Sequence, residues 1–250
     1  ENHLIKGCYL QNPIKMENEI IDLLKQKACT KQAVYRKTQV VFSDLQKLLK
    51  AKASSLTKKI ASKDKCVKVL YSSKGKFEAQ LKFSGDTLLF HMHSNVFDFP
   101  SKHAIHKTKY VKEDKLRSFC GVIHIYNFLS DSLKYNRMND EGYLIGRIFI
   151  NKDSHFFVEG DKQLGFLFND FVNQKINKDE LDKIINSAMI YSLNFDLQTP
   201  NINDVNVVSV HQILEMNKNF YRLKFTTIII CFHFLLFGIE SSEPYHEYKF

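Results

Sequence analysis

The side chains with the greatest chemical reach stand together in the segment His91-Met92-His93. Residues two apart on a strand point to the same face, so this spacing offers two imidazole nitrogens to one metal ion. A metal centre needs three or four ligands, and His124, in another strand-like stretch, is the candidate third, with His103 and His106 in the polar stretch between as alternatives. Converging, these residues describe a metal-dependent enzyme. Not converging, they are ordinary hydrogen-bonded histidines sharing a sheet face with Leu89 and Phe97, and no Asp or Glu stands beside them at a spacing typical of hydrolases. A second candidate is Arg147, which interrupts an apolar strand, with His155 across the following turn; an inward guanidinium there grips a carboxylate or phosphate ligand. Gly-rich phosphate loops and serine-nucleophile elbows are missing, so nucleotide and ester hydrolysis find no support.

Positioning these residues requires a sheet. From Cys66 the hydrophobic period turns from helical to alternating: a short strand at 67–71, a turn-like SSKG at 72–75, and a strand in which Phe77, Ala79, Leu81 and Phe83 alternate with Lys76, Glu78, Gln80 and Lys82. Ser84-Gly85-Asp86 turns the chain into a third strand at 87–97. A polar excursion at 100–117 follows, then strands at 119–128, 143–150, 154–158 and 163–168. Within 143–150, Leu144, Ile148 and Ile150 alternate against Ile145, Arg147 and Phe149, which sets Arg147 on a solvated face. A helix is expected from Lys178 to about Leu197, with Asn177 as its N-cap and Glu180 three residues on, burying Leu181, Ile184, Ile185, Ala188, Met189 and Leu193. Residues 205–216 form one more short strand or helix.

The N-terminal part is helical and basic. Ile20, Ile21, Leu23 and Leu24 make an apolar stripe over 15–27, Cys29-Thr30 reads as a break or cap, and Val34, Val41, Leu45 and Leu48 recur at helical spacing beyond it. The chain of 250 residues carries a net +9, and residues 31–68, with eleven bases against two acids, hold all of it. An anionic partner, nucleic acid or membrane surface, is therefore sought at Lys31, Arg36, Lys37, Lys47, Lys50, Lys52, Lys58 and Lys59. Stacking aromatics are scarce there, only Tyr35 and Phe42. Five widely spaced cysteines without a Cys-x-x-Cys pair fit a reducing, cytoplasmic compartment. The chain begins at Glu1 and reads as a processed, trimmed or partial product. An apolar run at 225–239 is short for a membrane span, about 22 Å as a helix against a hydrocarbon core of about 30 Å, and holds His233.

In its last third, QLGFLFNDFVNQKINKDELDKIINSAMIYSLNFDL, residues 163–197 resemble the closing strand, polar connection and long helix of GAF-type sensory domains. The resemblance implies GAF/PAS-like layering and small-molecule sensing, and it carries over no ligand-binding residue. The expected fold is α+β, an antiparallel sheet of about five to seven strands packed with N- and C-terminal helices. The expected domains are a basic helical segment at 1–65, the sheet domain at 66–197 and a C-terminal extension at 198–250. The expected function is a non-catalytic binding or regulatory protein, a small-molecule-sensing or protein-interaction module, with a homodimer or protein partner taken through the N-terminal helices. Its alternatives are the metal-dependent enzyme at His91/His93 and nucleic-acid binding through 31–68; the sequence names no cofactor.

Overall fold

The computed structural model describes residues 13–138, 140–160, 163–196, 201–211 and 213–214. Six antiparallel strands follow one another in space as in sequence: β1 Val69–Lys74, β2 Glu78–Phe83, β3 Asp86–Phe97, β4 Cys120–Leu129, β5 Tyr143–Asn151 and β6 Phe156–Gly160. The α+β class expected from the period change is the class observed.

Before the sheet runs a helix in three parts: α1 Pro13–Leu23, a π-turn Leu24–Ala28, and α2 Cys29–Ile60. Cys29-Thr30 neither breaks nor caps it. Both residues are helical, and the irregularity lies just before them as a π-turn, which adds a residue without ending the hydrogen-bond ladder. Helix ends at Ile60, so the last residues of the basic segment lie outside it; β1 then runs through Ser72 and Ser73, and the reversal falls on Gly75, whose φ of +67° suits glycine. Thr57 fastens the two elements, its hydroxyl donating to the Val69 carbonyl at 2.8 Å and accepting from the Val69 N–H at 2.9 Å.

One face of the sheet is sealed by α2 and by α6 Lys178–Leu193. Val41, Phe42, Leu45 and Leu49 of α2 and Leu181, Ile184, Ile185 and Ala188 of α6 pack on Leu81, Leu88, Phe90, Ile123, Ile125, Ile148 and Phe156. Burial of each of these Val, Leu, Ile and Phe side chains contributes about 1.5–3 kcal/mol. Asn177 caps α6 as expected, its Oδ1 accepting the Glu180 N–H at 2.8 Å. Where α2 crosses β4, Gly121 makes room: a Cβ there would lie 2.1 Å from Thr38 Oγ1.

Residues 98–118 hold a 3₁₀ turn at Ala104–Lys107, α3 Lys109–Glu113 and a second 3₁₀ turn at Lys115–Ser118. They fold over the opposite face at its β4–β6 end, where Ile105 and Val111, with Phe99 and Tyr110, cover Val122, Phe149 and Phe157. After β4 comes α4 Ser130–Lys134, and after β6 comes α5 Gln163–Leu167.

Helix α5 replaces the strand expected at 163–168. A strand would bury Leu164, Phe166 and Phe168 together; instead Leu164 and Phe168, four apart, are buried and Phe166 is 85% exposed, the helical period. Gly165 lets this turn sit against β6, since a Cβ there would meet the Gly160 carbonyl at 2.4 Å. The closing strand of the GAF-like pattern is therefore not formed.

Among the described residues, 131–138, 140, 201–211 and 213–214 fall in a second compact unit. Within it Asp140 accepts from Ser132 at 2.6 Å and pairs with Arg137, and α7 Ile202–Val205, capped by Asn201, lies before the short strand or helix expected at 205–216, which it meets only at residue 205. The apolar run at 225–239 lies outside the described residues. Among the described residues, no helix is long and apolar enough to cross a membrane.

Candidate functional site

Among the described residues, the half of the outer sheet face that the 98–118 excursion leaves uncovered carries the chemistry. Register sets one residue from each strand in a single row: Lys74 opposite Glu78, Glu78 opposite His91, His91 opposite His124, His124 opposite Arg147, and Arg147 opposite Glu159. Row partners in an antiparallel sheet are neighbours on one face, close enough for their side chains to touch. The ends are ion-paired, Lys74 to Glu78 at 3.8 Å and Arg147 to Glu159 in a short contact. The middle consists of two imidazoles.

His93 completes the group. It stands two residues beyond His91 on β3 and hence on its face, and its ring centroid lies 6.5 Å from His91 and 6.2 Å from His124, while His91 and His124 are 6.4 Å apart. The structure thus brings together the three histidines that the strand pattern singled out. Phe97 stands edge-on to His93 at 4.7 Å, and Tyr126, two residues beyond His124 and hence on its face, approaches His124 Nδ1 with its hydroxyl at 3.4 Å. Burial, followed by the charges of Arg147, His91 and His93, holds His124 below the ordinary imidazole pKa, so it prefers to be neutral.

A tight metal centre does not follow from this grouping as it stands. With a zinc–nitrogen bond of about 2.0–2.1 Å, rings sharing one ion sit with centroids about 5–5.5 Å apart. The observed triangle is wider, and the His91 and His124 rings are nearly parallel, 16° between planes. His93 Nδ1 accepts the Asn95 N–H at 3.0 Å, so that nitrogen is engaged and the neutral ring's proton sits on Nε2. Among the described residues, no group of three His, Cys, Asp or Glu is arranged to hold a metal ion.

The other expected site residues are dispersed. His103 and His106 belong to the covering excursion: His103 Nδ1 accepts the Ile105 N–H and His106 Nε2 lies 3.0 Å from the Phe99 carbonyl. His155 does not join Arg147. It is buried beneath the excursion, stacked on Tyr110 at 4.5 Å with Nδ1 3.1 Å from the Phe171 carbonyl. Arg147 is half-exposed on the outer face, as the strand pattern indicated, but an extra residue in β5 alters the alternation around it. Ile125 faces Gly146 and Tyr126 faces Leu144, so Ile145 is buried in the core and Leu144 is exposed beside Tyr126.

Two features of this face escaped the sequence. Tyr126 was legible, two residues from His124 on a strand. The other was not: buried Asn151 donates to the Tyr110 hydroxyl at 3.0 Å and to the Arg117 carbonyl at 3.2 Å, and accepts the N–H groups of Asp153 and His155. Tyr110 in turn donates to Asp153 at 2.9 Å. Burial pushes the Tyr110 hydroxyl up to about 12, so it stays protonated and latches the excursion to the β5–β6 turn.

Across the molecule, the basic residues of α2 divide by direction. Arg36, Lys47, Lys50 and Lys58 are exposed, and 36, 47 and 58, spaced by eleven residues or about three turns, line one stripe about 33 Å long. Lys47 pairs with Asp44 at 2.9 Å. Lys59 is also exposed and Lys37 half-buried on the flanks. Lys52 turns to α6, reaching Asp182 at 2.7 Å and Asn186 at 2.6 Å, and Lys31 stands over the Phe119 ring at 5.3 Å. No known protein family, curated protein or solved structure matches the chain.

Proposed function

We propose that this chain is a non-catalytic binding protein of the cytoplasm that takes a protein partner on the open half of its outer sheet face. The observation that carries the reading is the cluster of His91, His93 and His124, framed by Tyr126, Phe97 and Arg147, on a sheet whose other face is sealed. With Arg147 and Lys74 already paired to carboxylates, the centre of this face is aromatic and weakly polar, the character of an interface core. The free thiols of Cys29, Cys66 and Cys120 are in keeping with a reducing compartment.

Photo-crosslinking tests this. A benzophenone side chain replacing Leu89, which lies between Gln80 and Tyr126 on this face, should give a discrete adduct in cells, and the adduct should disappear with Tyr126→Ala. No adduct, or the same adduct from a crosslinker placed at Lys59 on α2, overturns the reading. The metal-dependent enzyme is the rival at the same residues: one equivalent of a transition metal retained through chelator-free purification and lost in His91→Ala would establish it instead. The stripe of Arg36, Lys47, Lys50 and Lys58 supports a separate reading as a nucleic-acid-binding surface, tested by salt dependence below.

A further inference from the structure

Lysines on a long helix ordinarily face solvent, yet two of them extend the line that α2 turns to the sheet. That line, Val34, Thr38, Val41, Leu45 and Leu49, continued backward at steps of three and four, passes through Lys31 and Lys27. Their ammonium groups accordingly stand over a core side chain, 5.3 Å and 5.7 Å from the centroid of the Phe119 ring, which is 6% exposed. Lys27 belongs to the π-turn and still reaches the ring. An aromatic face attracts each cation but supplies no countercharge.

The covering excursion brings two more lysines to the same place. Phe119, Val111 and Leu116 wall a cavity of about 320 Å³, and Lys27, Lys112 of α3 and Lys115 of the second 3₁₀ turn stand around it. Among the described residues, none of Lys27, Lys31, Lys112 and Lys115 forms an ion pair. The nearby acids are engaged elsewhere: Glu113 pairs with Arg117 at 3.2 Å and Asp114 with Lys152 at 2.5 Å. Asp98 lines the cavity, but it accepts the N–H of its neighbour Phe99 at 2.9 Å. Unneutralised cations around an apolar-walled hollow focus a positive field into it.

We propose that this cavity binds a small diphosphate compound, its phosphate groups held between Lys27, Lys112 and Lys115 and its organic part laid on Val111 and Leu116. Lysine acts on phosphate as a point charge, so ammonium groups reaching in from three elements suit a ligand with charge on more than one centre. The volume lies at the lower end of small-molecule sites, about 300–1,000 Å³. An extended polyanion is disfavoured, because Asp98, Glu113 and Asp114 interrupt the positive surface that a nucleic-acid strand or an anionic membrane would follow. The site shares no residue with the histidine cluster, so the two readings stand or fall separately.

The test is isothermal titration calorimetry of the full chain with inorganic pyrophosphate as the probe and orthophosphate as the comparison. Pyrophosphate should bind at one equivalent, about tenfold or more tighter than orthophosphate. Lys27→Gln/Lys112→Gln should weaken it by about tenfold or more, and Asp98→Asn should tighten it by about two- to threefold. Lys63→Gln/Lys178→Gln, with the same change of net charge at exposed positions off the cavity, should stay within about twofold of the wild type. Lys27 and Lys112 are exposed, so far-UV dichroism should not change. Bound pyrophosphate should also slow hydrogen exchange at 109–118. No saturable binding into the millimolar range overturns the proposal, as does an equal loss in the Lys63/Lys178 pair. So does binding of an RNA oligomer or of phosphatidylserine vesicles that depends on Lys27 and Lys112 while pyrophosphate does not bind.

Discussion

Replacing Gly121 by alanine tests whether α2 is seated on β4 as closely as described. The new Cβ would lie 2.1 Å from Thr38 Oγ1, 2.9 Å from Thr38 Cβ and 3.0 Å from Thr38 Cγ2. Thr38 is fully buried, and its hydroxyl donates to the Val34 carbonyl at 2.9 Å. Rotating the hydroxyl away breaks that bond, and rotation cannot move Cβ, so helix and strand must also part by several tenths of an ångström. Overpacking of this kind costs about 1–3 kcal/mol, and the displaced hydrogen bond about 1 kcal/mol more. A net loss of about 2–4 kcal/mol lowers the thermal midpoint by roughly 4–16 °C. Urea unfolding followed by far-UV dichroism gives the free energy. Gly85→Ala is the control, since nothing lies within 4 Å of a Cβ there, and it should change stability by less than about 0.5 kcal/mol. Adding Thr38→Ala to Gly121→Ala removes Oγ1 and Cγ2, the two atoms able to clash beyond Cβ, and should restore about 1–2 kcal/mol relative to additivity. Gly121→Ala as stable as Gly85→Ala, or a double variant whose losses simply add, would refute the seating.

Further outcomes concern the outer face and the stripe. His124 binds its proton less tightly in the native chain than the ordinary 6.5, so the unfolded state takes up more protons as pH falls through that value; stability present above it should decline on acidification and level off below the native pKa. Urea midpoints between neutral and mildly acidic pH should therefore slope less for His124→Asn than for the wild type, and equal slopes would count against a depressed His124. Tyr110→Phe strips the partner from buried Asn151 and from Asp153, and should cost about 1–3 kcal/mol while raising hydrogen exchange at 104–118; unchanged exchange there would remove Tyr110 as the latch. If the α2 stripe neutralises phosphates, retention of the full chain on heparin or RNA should fall steeply with salt, and Arg36→Glu/Lys58→Glu should flatten that slope; retention indifferent to either would end the nucleic-acid reading.

The antiparallel sheet was legible because its inner face is continuous. Ala79, Leu81 and Phe83, then Leu88, Phe90 and Met92, alternate without interruption, and α6 announced itself through Asn177 and the spacing of Leu181, Ile184 and Ile185. The errors fell where few residues had to decide between periods. At 163–168 the sequence QLGFLF satisfies strand alternation and one helical turn equally well; the packing of Gly165 on Gly160, a contact between positions no local pattern links, selects the helix. The π-turn at Leu24–Ala28 was displaced to Cys29-Thr30 for a similar reason. It changes the phase of the apolar stripe without changing composition, and a phase change resembles an end when read along one strand of text.

The candidate site shows what a strand pattern can and cannot carry. That His91 and His93 share a face follows from spacing alone; that His124 joins them depends on β3 and β4 pairing with His91 opposite His124, which a shift of one residue would undo by turning His124 into the core. That register is fixed by the inner face, because Phe90 must meet Ile125 and Met92 must meet Ile123 within the core. The hydrophobic residues thus determine the polar geometry. The same reasoning separates Arg147 from His155. The extra residue at Ile145 buries an isoleucine and leaves Arg147 outward in the row with His124, whereas His155, on the far side of the β5–β6 turn, falls under the excursion and stacks on Tyr110. A ligand binding the open face therefore meets three imidazoles, a tyrosine and a paired arginine. A ligand requiring His155 would first have to lift residues 98–118, breaking the bonds of Tyr110 to Asn151 and Asp153 and of Asn151 to the Arg117 carbonyl that hold them down.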